Sequence, residues 1–436
     1  MSAEINDDGS EKNTTIPEPA AEPAPLLVLR DGLPPVVETA EALAEVVAKV
    51  AAGTGPIALD AERASGYRYS ARAYLIQLRR EGSGTHLIDP IAFDDLRDLN
   101  EAFGGAEWIL HAASQDLACL REVGLEPVSL FDTELAARLL GYPRVGLATL
   151  VESICGRSMR KEHSAVDWSK RPLPDSWLEY AALDVEVLLE LREVIGRELI
   201  ESGKDAWAQE EFTHLITYEQ PPRVDPWRRT SGIHKAKGRR AVAAVRGLWE
   251  TRDELAQERD TTPGKLLPDA SIIVAANALP TSRGSLLATK GFHGRAASRY
   301  VDLWFDAIQA ARELPESELP PVANRSDGPP QPRAWAERDP VAAARLATAR
   351  TAITALSKER NVPIENILTP DFLRRVLWTP PQTEGPGVEE AVAAELSRLG
   401  ARAWQVGLAA PLIAEAIVNP EMPEPEPEEE LEPEGS

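Results

Sequence analysis

PIALDAERASGYRYSARAYLIQLRREGSGTHLIDP, residues 56–90, decides the fold. PIALDAE (56–62) is a short apolar run that alternates at its end, and YLIQLRR (74–80) and THLIDP (85–90) are two more strand-like runs. EGSG (81–84), between the last two, is turn chemistry, because glycine takes the positive φ that tight turns need. The three runs predict an antiparallel meander. Working outward, WILHAASQDLACLREVG (108–124) reads as a strand to about His111, then a helix ending at Gly124. LFDTELAARLLG (130–141) repeats the order of strand, helix and glycine. DSWLEYAALDVEVLLELREVIGREL (175–199) predicts one long amphipathic helix. Three antiparallel strands followed by strand–helix units mean a mixed α/β sheet flanked by helices. GRRAVAAVRGLWETRDELAQERD (238–260) and VAAARLATARTAITALSKER (341–360) show only helical periodicity, so the rest of the chain is expected to be all-α.

The chain has 436 residues, enough for about three domains. Two composition breaks divide it: EQPPRVDP (219–226) and the Pro-rich 313–333, which reads as an extended, semi-rigid linker. Three folded segments follow: an α/β domain over 25–218 and helical domains over 222–312 and 334–419. Residues 1–24 and 420–436 are acidic, rich in Pro and Glu, and expected to be disordered. The formal net charge of −23 looks wrong for a nucleic-acid binder until it is divided among these parts. Residues 25–218 hold 19 bases and 32 acids, whereas 222–312 hold 16 bases and 9 acids. One basic segment therefore sits inside an acidic chain. No run of apolar residues is long enough for a membrane span, and MSAEINDDGSEKNTT has no signal-peptide pattern. Cys119 and Cys155 are too few for a disulfide framework or a structural zinc site. They read as small core residues, and a cytoplasmic location is expected. No G-x-x-x-x-G-K-[ST] and no G-x-S-x-G occur, so neither a nucleotide-driven motor nor a serine-hydrolase elbow is present.

The acids with chemical promise are spread over three elements. Asp60 and Glu62 are two apart on the first strand, so both point to one sheet face. The plain alternative is a strand end with two solvated acids; the functional reading is a shared hard cation, Mg²⁺ or Mn²⁺. Asp116 lies near the first turn of the helix after WILH, where it would also suit the helix dipole. Tyr180 and Asp184 are spaced i, i+4 and share one helix face, which would equally suit a solvated acid beside a half-buried ring. His111 and His163 invite catalytic readings, but His111 at a strand end is more often structural, and His163 in RKEHSAVDW is expected to have no catalytic role.

Taken in order, LDAE (59–62), LHAASQDL (110–117) and YAALD (180–184) resemble the three exonuclease motifs of the DEDD superfamily in its tyrosine-containing branch. The surrounding strings LIQL, FDTELAARLLG and DWSKRPLPDSWLEYAALDVEVL resemble ribonuclease D over about residues 25–218. Residues 222–312 resemble a helicase-and-RNase-D C-terminal (HRDC) domain, and 334–419 a second, more divergent HRDC-like domain. The resemblance implies a ribonuclease-H-like exonuclease domain followed by two all-α domains. It implies metal-dependent 3′→5′ hydrolysis of RNA ends to nucleoside 5′-monophosphates, in the maturation of tRNA or other stable RNA. Asp60, Glu62, Asp116 and Asp184 would then hold two divalent ions, Mg²⁺ or Mn²⁺, and Tyr180 would orient the attacking water. Such an enzyme would take RNA with a free 3′ end, tRNA precursors among them, with no NTP and no membrane, as a monomer. A DNA 3′→5′ exonuclease and a non-catalytic adaptor on the same fold are the rival readings. The chain departs from the pattern at Ala61, where Thr is common, and at Arg63, which would either contact a phosphate or face solvent.

The basic segment concentrates its charge in 223–246, with eight bases against Asp225. Arg228, Arg229, Lys235, Lys237, Arg239 and Arg240 are its nucleic-acid-binding candidates, with Trp227 among them. Cations so placed add salt-dependent, sequence-blind affinity for phosphates; the plain alternative is a solvated helix start.

Overall fold

The computed structural model describes residues 24–160, 163, 165–219, 222–322, 328–381 and 387–422. The two acidic tails lie outside the described residues, apart from residue 24 and residues 420–422.

The first unit is built on six strands: β1 (Val36–Val37), β2 (Thr54–Arg63), β3 (Ala73–Glu81), β4 (Gly84–Ile88), β5 (Glu107–Leu110) and β6 (Ser129–Asp132). Their order across the sheet is β1-β4-β3-β2-β5-β6. β2, β3 and β4 form the antiparallel meander, with Asp60 opposite Gln77 and Leu78 opposite His86. Gly82 and Gly84 close the β3–β4 turn at φ of +80° and +85°, where a side chain would be strained. β2, β5 and β6 run parallel. The sheet is therefore mixed, and its flanking helices are α1 (Ala40–Ala52), α2 (Arg97–Phe103), α3 (Leu117–Glu122), α4 (Thr133–Leu140), α5 (Leu147–Cys155), α6 (Asp175–Glu186), α7 (Leu188–Glu201) and α8 (Asp205–Thr217).

The long helix expected over 175–199 is two helices. The break falls at Val187, with φ −106° and ψ −10°. The cause is packing rather than propensity. α6 lies across β2, β3 and β4, while α7 lies across β2 and β5 and against α4 and α5. Leu178, Ala181 and Ala182 of α6 join a small core with Tyr74, Leu75, Leu87 and Trp168, whereas Leu188, Leu191 and Ile195 of α7 join the main core. One straight rod cannot serve both.

The helical unit that follows contains α9 (Arg239–Glu258), α10 (Pro263–Leu266), α11 (Asp269–Ala278), α12 (Arg283–Leu287), α13 (Arg295–Arg299) and α14 (Val301–Glu313). It has its own core, with Trp227, Phe292 and Trp304 at its centre. The last helices are α15 (Trp335–Arg338), α16 (Pro340–Arg360), α17 (Ile364–Ile367), α18 (Pro370–Trp378), α19 (Gly387–Leu399) and α20 (Ala403–Val418). They do not stand apart. Trp335, Leu346, Ile353 and Trp404 belong to the same continuous core as the sheet. Trp404 stacks on Trp207 of α8 at 4.9 Å and donates from Nε1 to Glu211 at 2.9 Å, and Arg402 pairs with the same carboxylate. Lys204, nearly buried, donates to the carbonyls of Leu139 and Asn361, and Asn361 donates to Leu140 O. One lysine thus satisfies carbonyls from both units, the groups a helix end leaves open.

Candidate active site

The parallel strands β2, β5 and β6 end at the same edge of the sheet, where open α/β sheets place their crevices. A cavity of about 700 Å³ opens there, lined by Asp60, Glu62, Asp116, Tyr180 and Asp184 together with Arg63 and His111. All five residues singled out as catalytic in the sequence therefore meet in one place.

β2 delivers the first two. Its register against β3 runs unbroken from Asp60↔Gln77 to Glu62↔Leu75, so strand alternation turns both carboxylates the same way. The ladder shifts between Glu62 and Arg63, leaving Tyr74 as the extra residue of a bulge; bulges re-aim the chain beside sites of this kind. α6 delivers Tyr180 and Asp184 one helical turn apart. Carboxylate oxygens of Asp60, Glu62 and Asp184 all lie within 4.8 Å of one another. Asp116 falls outside that tight group but lines the same cavity. It occupies the position before α3, and its side chain makes no capping hydrogen bond there. It pairs instead with Arg63, at 3.5 Å. Arg63 therefore neither faces open solvent nor stands free; it neutralises one acid of the site.

No cation lies within ion-pair distance of Asp60, Glu62 or Asp184 among the described residues, and the consequence is visible in their titration. Burial, then repulsion from Asp60, Asp184 and Asp116, pushes the Glu62 carboxyl up to about 10. Burial lifts Asp60 to about 6 and holds Asp116 and Asp184 well above the usual carboxylate range. Burial, then the neighbouring carboxylates of Asp184, Glu62 and Asp60, raise the pKa of the Tyr180 hydroxyl. Glu186, two residues further along α6, shows the ordinary solution: it is buried too, but Arg30 and Arg79 meet it at 3.2 Å each. Asp184 has no such partner among the described residues. Hard oxygen donors crowded in this way fit a hard divalent cation.

His111 is held as a ring on the cavity wall. Thr133 Oγ1 donates to Leu110 O, so it accepts from His111 Nδ1–H at 2.9 Å. Burial lowers the His111 pKa to about 4, so the ring is neutral at pH 7 and a weak proton acceptor. His163 sits edge-on to the Tyr180 ring at 6.0 Å. Cys119 is buried, and burial pushes its thiol up to about 12, as expected of a core residue.

One supporting residue was missed in the sequence. Asp132, at the end of β6, accepts from Ala112 N, Ala113 N, Glu134 N and Leu135 N at 2.9–3.1 Å. It caps α4 and clamps the crossover at Ala112, whose φ is +61°. That crossover carries Asp116. The signal was present, an Asp at a strand end opening the helix of FDTELAARLLG, and it is N-cap chemistry.

The basic cluster is more divided than its sequence. Arg240 donates to the carbonyls of Ala311, Arg312 and Leu314 at 2.6–3.1 Å and pairs with Glu316, closing the C-terminus of α14. Arg239 donates to Leu319 O. Arg228 stacks on Trp227 at 4.2 Å, pairs with Asp225 and donates to Pro321 O. Arg229, Lys235 and Lys237 are exposed, and their side chains make no hydrogen bond or ion pair among the described residues.

Comparison with known proteins agrees with this geometry. Residues 34–200 match a family model described as 3′-5′ exonuclease, 242–308 match HRDC domain, and 328–417 match 3′ to 5′ exonuclease C-terminal domain. The ribonuclease D of Jannaschia sp. is 32% identical over 307 residues, covering 66% of this chain and 77% of the relative. That of Escherichia coli is 31% identical over 304 residues, covering 67% and 79%. Among solved structures, a protein from Bifidobacterium adolescentis is 39% identical with a TM-score of 0.83, over 91% of this chain and all of that one. The structure of Escherichia coli RNase D, described as an exoribonuclease involved in structured RNA processing, is 27% identical with a TM-score of 0.62, over 84% and 98%.

Proposed function

The chain belongs to the ribonuclease D family and is a 3′→5′ exoribonuclease, and from that premise we propose how its residues divide the work. Asp60, Glu62, Asp116 and Asp184 hold two divalent ions, Mg²⁺ or Mn²⁺. Such ions, when bound, activate a water and stabilise the leaving oxygen of the phosphodiester. Asp60 and Glu62 come from a strand and Asp184 from a helix, so the oxygens are fixed by two rigid elements before any ligand arrives. Tyr180 presents its hydroxyl beside Asp184 and orients the attacking water. Neutral His111 lines the wall and takes no proton. Arg63 holds Asp116 and is placed to meet a phosphate when that carboxylate is otherwise engaged. RNA is held further out by Arg229, Lys235 and Lys237. The domain limits 25–218, 222–312 and 334–419, a monomeric state, a cytoplasmic setting and tRNA precursors as substrates complete the proposal. No helix among the described residues is long and apolar enough to cross a membrane.

The observation that carries this reading is the group of three carboxylates within 4.8 Å of one another, none of them ion-paired among the described residues. The test is 5′-labelled single-stranded RNA, and the same sequence as DNA, incubated with Mg²⁺, Mn²⁺ or EDTA. The expected result is stepwise shortening of RNA from the 3′ end, release of nucleoside 5′-monophosphates, and no reaction in EDTA. Internal cuts, or turnover that survives EDTA, would contradict it; equal turnover of DNA would overturn the RNA preference.

A further inference from the structure

The β2–β3 loop, residues 64–72, forms one wall of the catalytic cavity through Ser65, Gly66 and Tyr67. It lies nearly two hundred residues from the C-terminal end of α9, yet that end grips it at several points. Asp260 Oδ1 accepts from Ser70 N at 2.9 Å, and its Oδ2 accepts from Tyr74 OH at 3.3 Å. Tyr69 OH donates to Asp253 at 3.1 Å and accepts from Gln257 Nε2 at 3.0 Å. Thr262 N donates to Tyr67 O at 3.3 Å, and the Lys265 ammonium sits 4.3 Å from the centre of the Tyr67 ring. Tyr74 is also the bulged residue that follows the Glu62 register.

The backbone at Asp260 shows that this grip is built in. Asp260 lies past the end of α9 with φ of +42°, a left-handed conformation in which glycine or asparagine is usual at a helix end. Thr261 N closes the turn on Ala256 O at 3.0 Å. An aspartate here costs backbone strain and returns a carboxylate aimed at the loop.

We infer that Asp260 and Asp253 are positioning residues for the exonuclease reaction: the HRDC unit holds the cavity wall in place, beyond any part it has in binding RNA. α9 is 20 residues long, so its basic end is about 30 Å from this grip. A short substrate in the cavity does not reach that basic end, which separates the two roles.

The test uses the full chain and a 5′-labelled RNA trinucleotide. Asp260→Gly keeps the left-handed turn and removes only the carboxylate; Asp260→Asn keeps an acceptor for Ser70 N. The expected result for Asp260→Gly is a fall in kcat of about tenfold or more, in line with what small misplacements cost, with KM unchanged. Asp260→Asn should recover most of the rate. Hydrogen exchange at the Ser70 amide should quicken in Asp260→Gly and not in Asp260→Asn. If Asp260→Gly does not fold, Tyr69→Phe, which loses one hydroxyl, gives the same split on a smaller scale. The inference rests on the exonuclease reading of the cavity, which wild-type turnover of the trinucleotide checks by itself. A variant whose kcat equals that of active wild type, or whose loss appears in KM alone, overturns the positioning role and leaves that reading intact.

Discussion

The carboxylate cavity and the basic face of the helical unit look like matching features in the sequence, one rich in acids and the other in bases. They differ in how their charges are met. Asp60, Glu62 and Asp184 are crowded together and none is ion-paired among the described residues, whereas Arg228, Arg239 and Arg240 are met by carbonyls and carboxylates of their own unit. Uncompensated buried charge is expensive and persists where function requires it. Paired charge is ordinary construction. Charge density alone therefore marks function poorly; the unmet charge marks it well. The same contrast appears within one helix, between Asp184 and the doubly paired Glu186.

The sharpest way to break this comparison is to remove the unmet charges. Asp60→Ala and Asp184→Ala should each lower turnover by at least about 10³-fold, since members of one catalytic unit fail together. Their melting temperatures in EDTA should not fall, because each removes a repelled carboxylate. Turnover within a few-fold of wild type, or a collapsed fold, would show that these acids are structural. Tyr180→Phe should cost about 10²-fold, the scale of one positioned orienting group; an unchanged rate in steady-state assays would make Tyr180 a packing residue.

On the basic side the two kinds of cation should separate. Arg240→Gln should destabilise the helical unit by about 1 kcal/mol, because it leaves part-buried carbonyls at the end of α14 without their donor, as read by urea denaturation. Replacing Arg229, Lys235 and Lys237 together by Gln should leave stability alone. It should flatten the dependence of log K on log[salt] for single-stranded RNA by about 2, near 0.7 for each lost phosphate contact. Equal salt slopes would mean that RNA is held elsewhere.

The smallest effect is a pH dependence. The folded-state carboxyl pKa values of Asp60 and Glu62 are raised, to about 6 and about 10. The native protein therefore binds more protons than the unfolded chain in this range, and stability falls as pH rises. The contribution is full below about pH 4, where the unfolded carboxyls are protonated, and is lost through about 6 and then towards 10. In EDTA, Asp60→Asn should melt above wild type by about 2–4 °C at pH 8, the worth of 1 kcal/mol in a domain of this size. The gap should narrow at pH 5. A gap that is the same at both values would mean that Asp60 is not strained by its charge.

Much of this was legible in the sequence for identifiable reasons. The meander shows because strand alternation and EGSG are local signals. Asp60, Glu62, Asp116, Tyr180 and Asp184 show because each sits at a fixed offset on its own element. The break at Val187 does not show, because every residue around it is compatible with a helix and only packing on two different strand sets forces the turn. Nor does the work of Arg240, whose carbonyl partners lie more than seventy residues away. The proline-rich stretches mark where the composition changes, but not that 335–416 would share its core with the sheet.

The measurement closest to the central claim is a titration of Mn²⁺ into the EDTA-stripped full chain at neutral pH, followed by calorimetry and by the loss of free-ion paramagnetic signal. Unmet carboxylates gathered for a cation predict saturable binding of two ions in the wild-type chain, with at least one lost in both Asp60→Asn and Asp184→Asn. Binding that does not saturate, or that survives unchanged in both variants, would contradict the account.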